Sequence, residues 1–357
     1  MQNIKTIIDL GNGYVKGAVF GLEDSKTTVL VKDLVKTKGV RKGKVLDIQA
    51  LVESMNDVIK TFTTKLGGDF VDDIYLGISH PEMGIMRFSE NMRIMVDKVT
   101  HDDVSHLMKV ISEISERPNY ETLKINPVYW IIDDEIKTNE PLGIIGRKLE
   151  LVVDVFYIPK YFYQSVIDLA NHLQLNIVDI IPNILGASEL TLDYDSKDLG
   201  TLLVDIGNNQ TSYVVYENGY PLYYGILPIG WEDVTKDISI GMQVEMKEAE
   251  NLKVDFATLT GEEAVRDGRL PGWVLLLGGG ARMKGVDGLA KESFKLATFY
   301  AKNKHLQVGE IGNHLQFLNS MGIYLYSEKY SDVANKFKLN LNFGWVKGIW
   351  KFLKEVF

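Results

Sequence analysis

Two aspartates stand at matching places in two stretches of similar pattern. The first stretch is IKTIIDLGNGYVKGAVFG, near the start of the chain, and the second is GTLLVDIGNNQTSYVVYENGYPLYYG, from Gly200. In each, an apolar β-rich run brings an Asp (Asp9, Asp205) to its end, a Gly follows two positions later (Gly11, Gly207), and a second alternating run begins after the turn. The chemistry this suits is phosphate binding. The glycines and the neighbouring Asn12, Asn208 and Asn209 tolerate positive φ, so successive backbone N–H groups can converge on one anion. A bare carboxylate beside that anion would repel it, and Mg²⁺ held through water by Asp9 and Asp205 removes the conflict. A single Asp-x-Gly-Asn is also ordinary turn chemistry. Its recurrence about half a chain later favours the phosphate reading.

A third cluster, VLLLGGGARMKGVDGLA, runs from a buried-strand pattern into Gly278, Gly279 and Gly280 and then into a helix-like stretch ending near KESF. Three glycines after a strand let a flat ligand approach the backbone closely. The dinucleotide fingerprint G-x-G-x-x-G with its distant acidic residue is missing, and so is the P-loop pattern G-x-x-x-x-G-K-[ST].

The elements that must position these loops are strand–turn–strand units, and the composition supplies enough apolar material for them. The 357 residues are 45% hydrophobic and 24% charged, as expected of a soluble globular protein of two to three domains. The chain has no cysteine, which excludes disulfides, thiolate metal sites and cysteine redox chemistry and fits a reducing cytoplasm. A net charge of −9 argues against nucleic acid as the principal partner. No secretory signal opens the chain, so the expected location is cytoplasmic. No apolar stretch reaches the length of a bilayer span. The six histidines form no H-E-x-x-H and are expected at the surface or in caps. GISHP around Ser79 has Pro81 where a nucleophile elbow needs Gly. HDDVSH reads as the start of a helix, with Asp102 and Asp103 favoured by its dipole.

The run FGWVKGIWKFLKEVF is amphipathic at helical spacing. Trp345, Ile349, Phe352, Leu353 and Val356 fall on one face, and Lys347, Lys351, Lys354 and Glu355 occupy the others, which gives the segment a local charge of +2. With Trp350 and Phe357 these residues form the expected membrane-binding set, suited to an anionic lipid surface. The polar, Pro-free SEKYSDVANKFKLNLN before it reads as a tether. A terminal helix folded back on the protein, or docked in a partner's groove, is the other reading.

Taken together, the three loops resemble those of the actin, Hsp70 and sugar kinase superfamily. Within it, GVRKGKVLDIQALVESMNDVI, IYLGISHPEMG, PLGIIGRKLELVVDVFYIP, LPIGWEDVTKDISIGM and EAENLKV are similar to stretches of the FtsA cell-division family, as is the closing amphipathic run. The resemblance implies an α/β, actin-like ATPase fold of two duplicated RNase H-like domains, at 1–77 with 164–197 and at 198–233 with 273–326. An α+β, SHS2-like subdomain would be inserted at 78–163, a second small subdomain at 234–272, a linker at 327–342 and the amphipathic helix at 343–357. It also implies ATP and Mg²⁺ as ligands. Asp9, Gly11, Asn12, Gly13, Tyr14 and nearby Lys16 would form the first phosphate loop, and Gly207, Asn208, Asn209 and Gln210, behind Asp205, the second. Glu250 and Lys253 match positions facing ribose and adenine, though they also read as a solvated helix pair, and Gly278, Gly279, Gly280, Ala281 and Met283 match the adenosine loop. The implied function is a self-polymerising protein that tethers FtsZ-type filaments to the inner face of the cytoplasmic membrane at the division site.

Departures from the family pattern bear on mechanism. The second loop in the family reads Asp-Ile-Gly-Gly-Gly-Thr, then Thr or Ser and a further Asp, whereas this chain has DIGNNQTSY, with Asn208 and Asn209 for two glycines and no Asp after the Thr. Asn183, in IIPNILGASELTL, matches the place where many relatives keep Glu or Gln to orient water; Asn is shorter, so at most slow ATP hydrolysis is expected. Between NLKV and GWVLLLGGG only DFATLTGEEAVRDGRLPG remains where relatives carry a strand and a long helix pair. The second small subdomain is therefore expected to shrink to a helix or two, which weakens the inference of an FtsZ partner. Two alternatives stand beside this reading: a PilM-like assembly protein recruited by a partner peptide, and a sugar-kinase-like enzyme, for which no third catalytic Asp is evident.

Overall fold

The computed structural model describes residues 2–23, 26–67, 73–256, 272–305 and 315–331. One compact unit joins Met1–Pro81 to Ser165–Lys329, and Glu82–Gln164 belong to another.

The chain opens with the antiparallel strands β1 (Gln2–Leu10), β2 (Tyr14–Glu23) and β3 (Lys26–Lys36), then a short hairpin of β4 (Val40–Arg41) and β5 (Lys44–Val45). Helix α1 (Ile48–Lys65) starts where the Asp47 side chain accepts a hydrogen bond from the Ala50 N–H at 3.1 Å. Its stripe Leu51, Met55, Val58 and Phe62 is buried, with Val58 and Phe62 lying on Gly17 of β2, where a larger residue would hold the helix off the sheet. Strand β6 (Asp73–Ile78) then joins the far side of β1 in parallel.

In the second unit, β7 (Gly84–Arg93), α2 (His101–Ile114), β8 (Tyr120–Ile132), β9 (Ile136–Thr138) and β10 (Lys148–Pro159) make one antiparallel sheet, ordered β7-β10-β8-β9, with α2 on one face. A reciprocal cap between Thr100 and Asp103 begins α2. Leu149, Leu151, Val153, Val155 and Tyr157 of β10 share a core with Val104, Leu107, Met108 and Ile111 of α2. On the opposite face of β10, Arg87 grips the buried Asp154 with two hydrogen bonds of 2.8 and 2.9 Å.

The chain continues through α3 (Lys160–His172) into β11 (Asn176–Pro182), α4 (Asn183–Thr191) and α5 (Tyr194–Leu199). A second sheet follows: β12 (Thr201–Ile206), β13 (Thr211–Glu217), β14 (Tyr220–Leu227), helices α6 (Trp231–Met242) and α7 (Met246–Phe256), then β15 (Trp273–Leu277), α8 (Val286–Phe294), β16 (Ala297–Tyr300) and α9 (Leu318–Tyr326). Residues 257–271 and the tail set Trp345–Phe357 lie outside the described residues.

The two large sheets have one topology. The first is ordered β3-β2-β1-β6-β11 and the second β14-β13-β12-β15-β16, each an antiparallel meander extended by two parallel strands. Each following helix reaches the other sheet: α4, which leaves the first sheet, touches β12 and β13 as well as β6 and β11 of its own, and α9, which leaves the second, packs on β1, β2 and β6. They cross at Gly186 and Gly322, close enough that a methyl on Gly322 would overlap the Gly186 carbonyl. Phe20 of β2 stacks on Tyr324 of α9 with ring centroids 4.4 Å apart. His80, expected at the surface or in a cap, is instead fully buried just beyond β6.

Candidate functional site

Asp9 and Asp205 occupy equivalent positions at the ends of the two central strands. Asp9 lies opposite Lys16 on β2 and beside Gly77 on β6; Asp205 lies opposite Ser212 on β13 and beside Leu277 on β15. Both are buried, at 1% and 9% exposure. Lys16 Nζ donates to Asp9 Oδ2 at 3.0 Å. Burial works against the Lys16 ammonium, but the carboxylates of Asp9 and Asp205 more than offset it and hold its pKa above the ordinary lysine value. Burial pushes the Asp205 carboxyl up, against a hydrogen bond from Asn319 and the charge of Lys16. Two buried carboxylates thus face one ammonium, a balance that favours a further cation.

The loops after these strands share a fold. A Cβ on Gly11 would sit 2.7 Å from the Tyr14 carbonyl oxygen, and one on Gly207 would sit 2.8 Å from that of Gln210, so only glycine allows either turn to close. The loops meet where Gly13 abuts the Asn208 side chain. The turn between β4 and β5 ties them together: the Gly43 N–H donates to Asn12 Oδ1 at 2.6 Å, and the Lys42 N–H to Asn209 Oδ1 at 3.2 Å. Asn208 and Asn209 also donate to Glu232 at the start of α6, at 3.2 and 3.3 Å. The asparagine side chains therefore brace the loops, and an anion would be met by the backbone and Lys16. Gln210 Nε2 reaches the Ser79 carbonyl at 3.4 Å, while Tyr14 is half exposed.

Gly278, at φ +91°, bends the third loop so that its Cα lies against the Asp205 carboxylate, where no side chain fits. Gly279 is exposed with nothing beside its Cα, but Ala281 and Met283 turn into the second sheet's core with Val274, Leu276 and Val286. Only their backbone could meet a nucleoside. Glu250 and Lys253 do come together, at 2.7 Å on α7, yet Lys253 is not a solvated residue. Its ammonium also donates to Thr235 Oγ1 at 2.5 Å and to the Trp231 carbonyl at 3.3 Å, and it lies 3.9 Å from the centroid of the Trp231 ring. Burial lowers the Lys253 pKa. Glu250, partly exposed, is the member of the pair that a ligand could reach.

Asn183 stands in the site. Its Nδ2 donates to Asp9 Oδ1 at 2.8 Å, and its Oδ1 rests over Gly77. A residue not singled out in the sequence repeats this on the other side: Asn319 Nδ2 donates to Asp205 Oδ2 at 3.0 Å. The available signal was the spacing Asn183-x-x-Gly186 and Asn319-x-x-Gly322, a four-residue repeat on the two crossing helices. Each amide leaves a buried oxygen without a partner. Among the described residues no three His, Cys, Asp or Glu side chains gather to hold an ion directly. Two carboxylates at the mouths of glycine loops do suit Mg²⁺ held through its own waters.

Comparison with known proteins points to one family. The family model "Cell division protein FtsA" matches residues 202–320, and the model of the SHS2 domain inserted in FtsA matches residues 80–157. The chain belongs to the FtsA family. It is 26% identical over 266 residues to the cell division protein FtsA of Bacillus subtilis, covering 73% of this chain and 59% of that protein. The FtsA of Enterococcus hirae is 24% identical over 380 aligned positions, covering 93% and 85%. The chain thus spans less than two thirds of the length of the Bacillus relative. Among solved structures, the PilM-PilN type IV pilus biogenesis complex aligns with a TM-score of 0.62 at 14% identity, covering 90% of this chain and 97% of that one. The ethanolamine utilization protein EutJ of Carboxydothermus hydrogenoformans aligns at 0.51 and 14%, covering 91% and 90%. The fold of this FtsA-family chain is the actin-like ATPase fold with an SHS2 insert.

Proposed function

We propose that this FtsA-family chain binds ATP with Mg²⁺ between its two actin-like sheets, polymerises in that state, and tethers division filaments to the inner face of the cytoplasmic membrane through residues 343–357. The observation that carries the nucleotide reading is the matched pair of buried aspartates, Asp9 and Asp205, flanking Lys16 at the mouths of two loops of one geometry. Lys16 and the loop N–H groups would meet the phosphates, and the aspartates would hold Mg²⁺ through water. Bound Mg²⁺ supplies charge compensation between phosphates and carboxylates. Glu250 and the backbone of Gly278 to Met283 would border the nucleoside. Because the Asn183 amide is engaged by Asp9, it is poorly placed to orient an attacking water, and turnover is slow or absent.

The membrane role rests on the amphipathic pattern of the tail and on polymerisation, which multiplies a weak anchor. FtsZ-type filaments are the partner suggested by the family. The test is co-sedimentation with anionic vesicles in ATP–Mg²⁺, comparing the full chain with one ending at Asn342. Pelleting of the full chain alone is the expected result. If both chains stay in solution, the tail is a packing or docking helix and recruitment by a partner peptide replaces the tether.

A further inference from the structure

We infer that Asn319 is a positioning residue of the nucleotide site, the second-sheet counterpart of Asn183, and that the two together fix the rotamers of the aspartates that would hold a metal ion through water. This rests on the nucleotide reading above. Four observations converge on it. Both asparagines lie three residues before the glycine at which α4 and α9 cross, Gly186 for one and Gly322 for the other. Each reaches to the carboxylate at the end of the central strand of one sheet, at 2.8 and 3.0 Å. Among the described residues, neither makes a side-chain hydrogen bond to its own helix backbone, the common use of Asn at a helix start. Finally, each carries a buried amide oxygen without a partner, which burdens folding and which an apolar side chain of similar size would avoid.

The consequence for each carboxylate is specific. Asp205 Oδ2 is held by Asn319, so Oδ1 is turned onto the Gly278 backbone at the third loop. Asp9 Oδ1 is held by Asn183, so Oδ2 is turned to Lys16. The two carboxylates are therefore oriented from helices that each contact the opposite sheet, and neither has a free rotamer to lose when a cation is bound. Asn319 acts through Asp205, the carboxylate it holds.

The test is titration calorimetry of the full chain with ADP, in Mg²⁺ and in EDTA, for the wild type, Asn319→Leu and the smaller Asn319→Thr, with thermal melts run alongside. The inference predicts that both variants lose about tenfold of the Mg²⁺-dependent gain in ADP affinity, the scale set by one hydrogen bond to a charged group. Any loss of affinity in EDTA should be smaller than the loss in Mg²⁺, and the melting temperature should fall modestly because the buried Asp205 Oδ2 loses a partner, with both variants still folded at the titration temperature. Equal losses with and without Mg²⁺, or a Mg²⁺ gain unchanged in a folded variant, would overturn it. A wild type that binds no ADP under either condition would instead remove the nucleotide reading on which it rests.

Discussion

The crossing of α4 and α9 provides a sharp energetic test, because one substitution is expected to act with opposite sign at two glycines. A methyl on Gly322 would overlap the Gly186 carbonyl and lie 2.7 Å from the Ala187 N, all backbone atoms of α4 that no rotamer change can move. Relief requires the helices to part by about 1 Å, which forfeits a quarter to a half of each contact along the crossing. Gly322→Ala should therefore cost about 3 kcal/mol, the upper end of ordinary overpacking. At roughly 2–4 °C per kcal/mol for a unit of this size, the melting temperature falls by about 6–12 °C. Gly288, on the exposed side of α8, has nothing within 4 Å of a new Cβ. There the same change removes backbone freedom from the unfolded chain and should raise stability by about 0.5–1 kcal/mol. Differential scanning calorimetry of the two variants reads both. A Gly322→Ala melt within about 1 °C of wild type would mean that the helices do not meet as described, and the coupling of the two sheets would fall with it.

Further predictions concern charge. Lys16→Met leaves Asp9 and Asp205 buried without their ammonium; the apo protein should lose about 3 kcal/mol in urea unfolding, and Mg²⁺ should recover part of that loss. At the far end of α4, burial works to raise the Glu189 carboxyl, but Lys197 and Lys329, at 2.5 and 3.1 Å, hold it below the ordinary glutamate value. Because the folded-state pKa is the lower one, this stability is complete above the unfolded value of about 4.3 and is lost as pH falls through the folded value. Glu189→Gln should flatten the acid limb of a plot of melting temperature against pH while lowering the neutral plateau. Thr100→Ala removes the cap of α2 and should speed amide exchange in its first turn, with a loss of about 1 kcal/mol.

The parts of this site that could be read in the sequence are those whose chemistry is local. An Asp at a strand end, a Gly two residues on and a second alternating run specify a hairpin without reference to the rest of the chain, and both copies form it. The same holds for the strand–glycine–helix run at Gly278 and for α2, whose start HDDVSH marks, although its Thr100 cap came from the structure. Asn319 was not legible because its partner lies 114 residues away and its repeat with Asn183 shares only an Asn and a Gly. Lys42 and Gly43 were read as part of a family stretch, yet their bracing of both loops depends on how the β4–β5 turn packs. Spacing placed Glu250 and Lys253 together, but not the burial of Lys253 against Trp231, which follows from α6 meeting α7. His80 went astray for the same reason: its burial depends on what surrounds the end of β6 and has no mark in the local sequence.

The proposed function requires that nucleotide held by the two aspartate loops drive assembly on the membrane. The most direct measurement is the fraction of full-length chain that pellets with anionic vesicles as ATP–Mg²⁺ is raised, for the wild type and for Asp205→Asn. The account predicts a nucleotide-dependent rise for the wild type and, for the variant, a signal fixed at the nucleotide-free level. Equal pelleting by both proteins, independent of ATP–Mg²⁺, would contradict it.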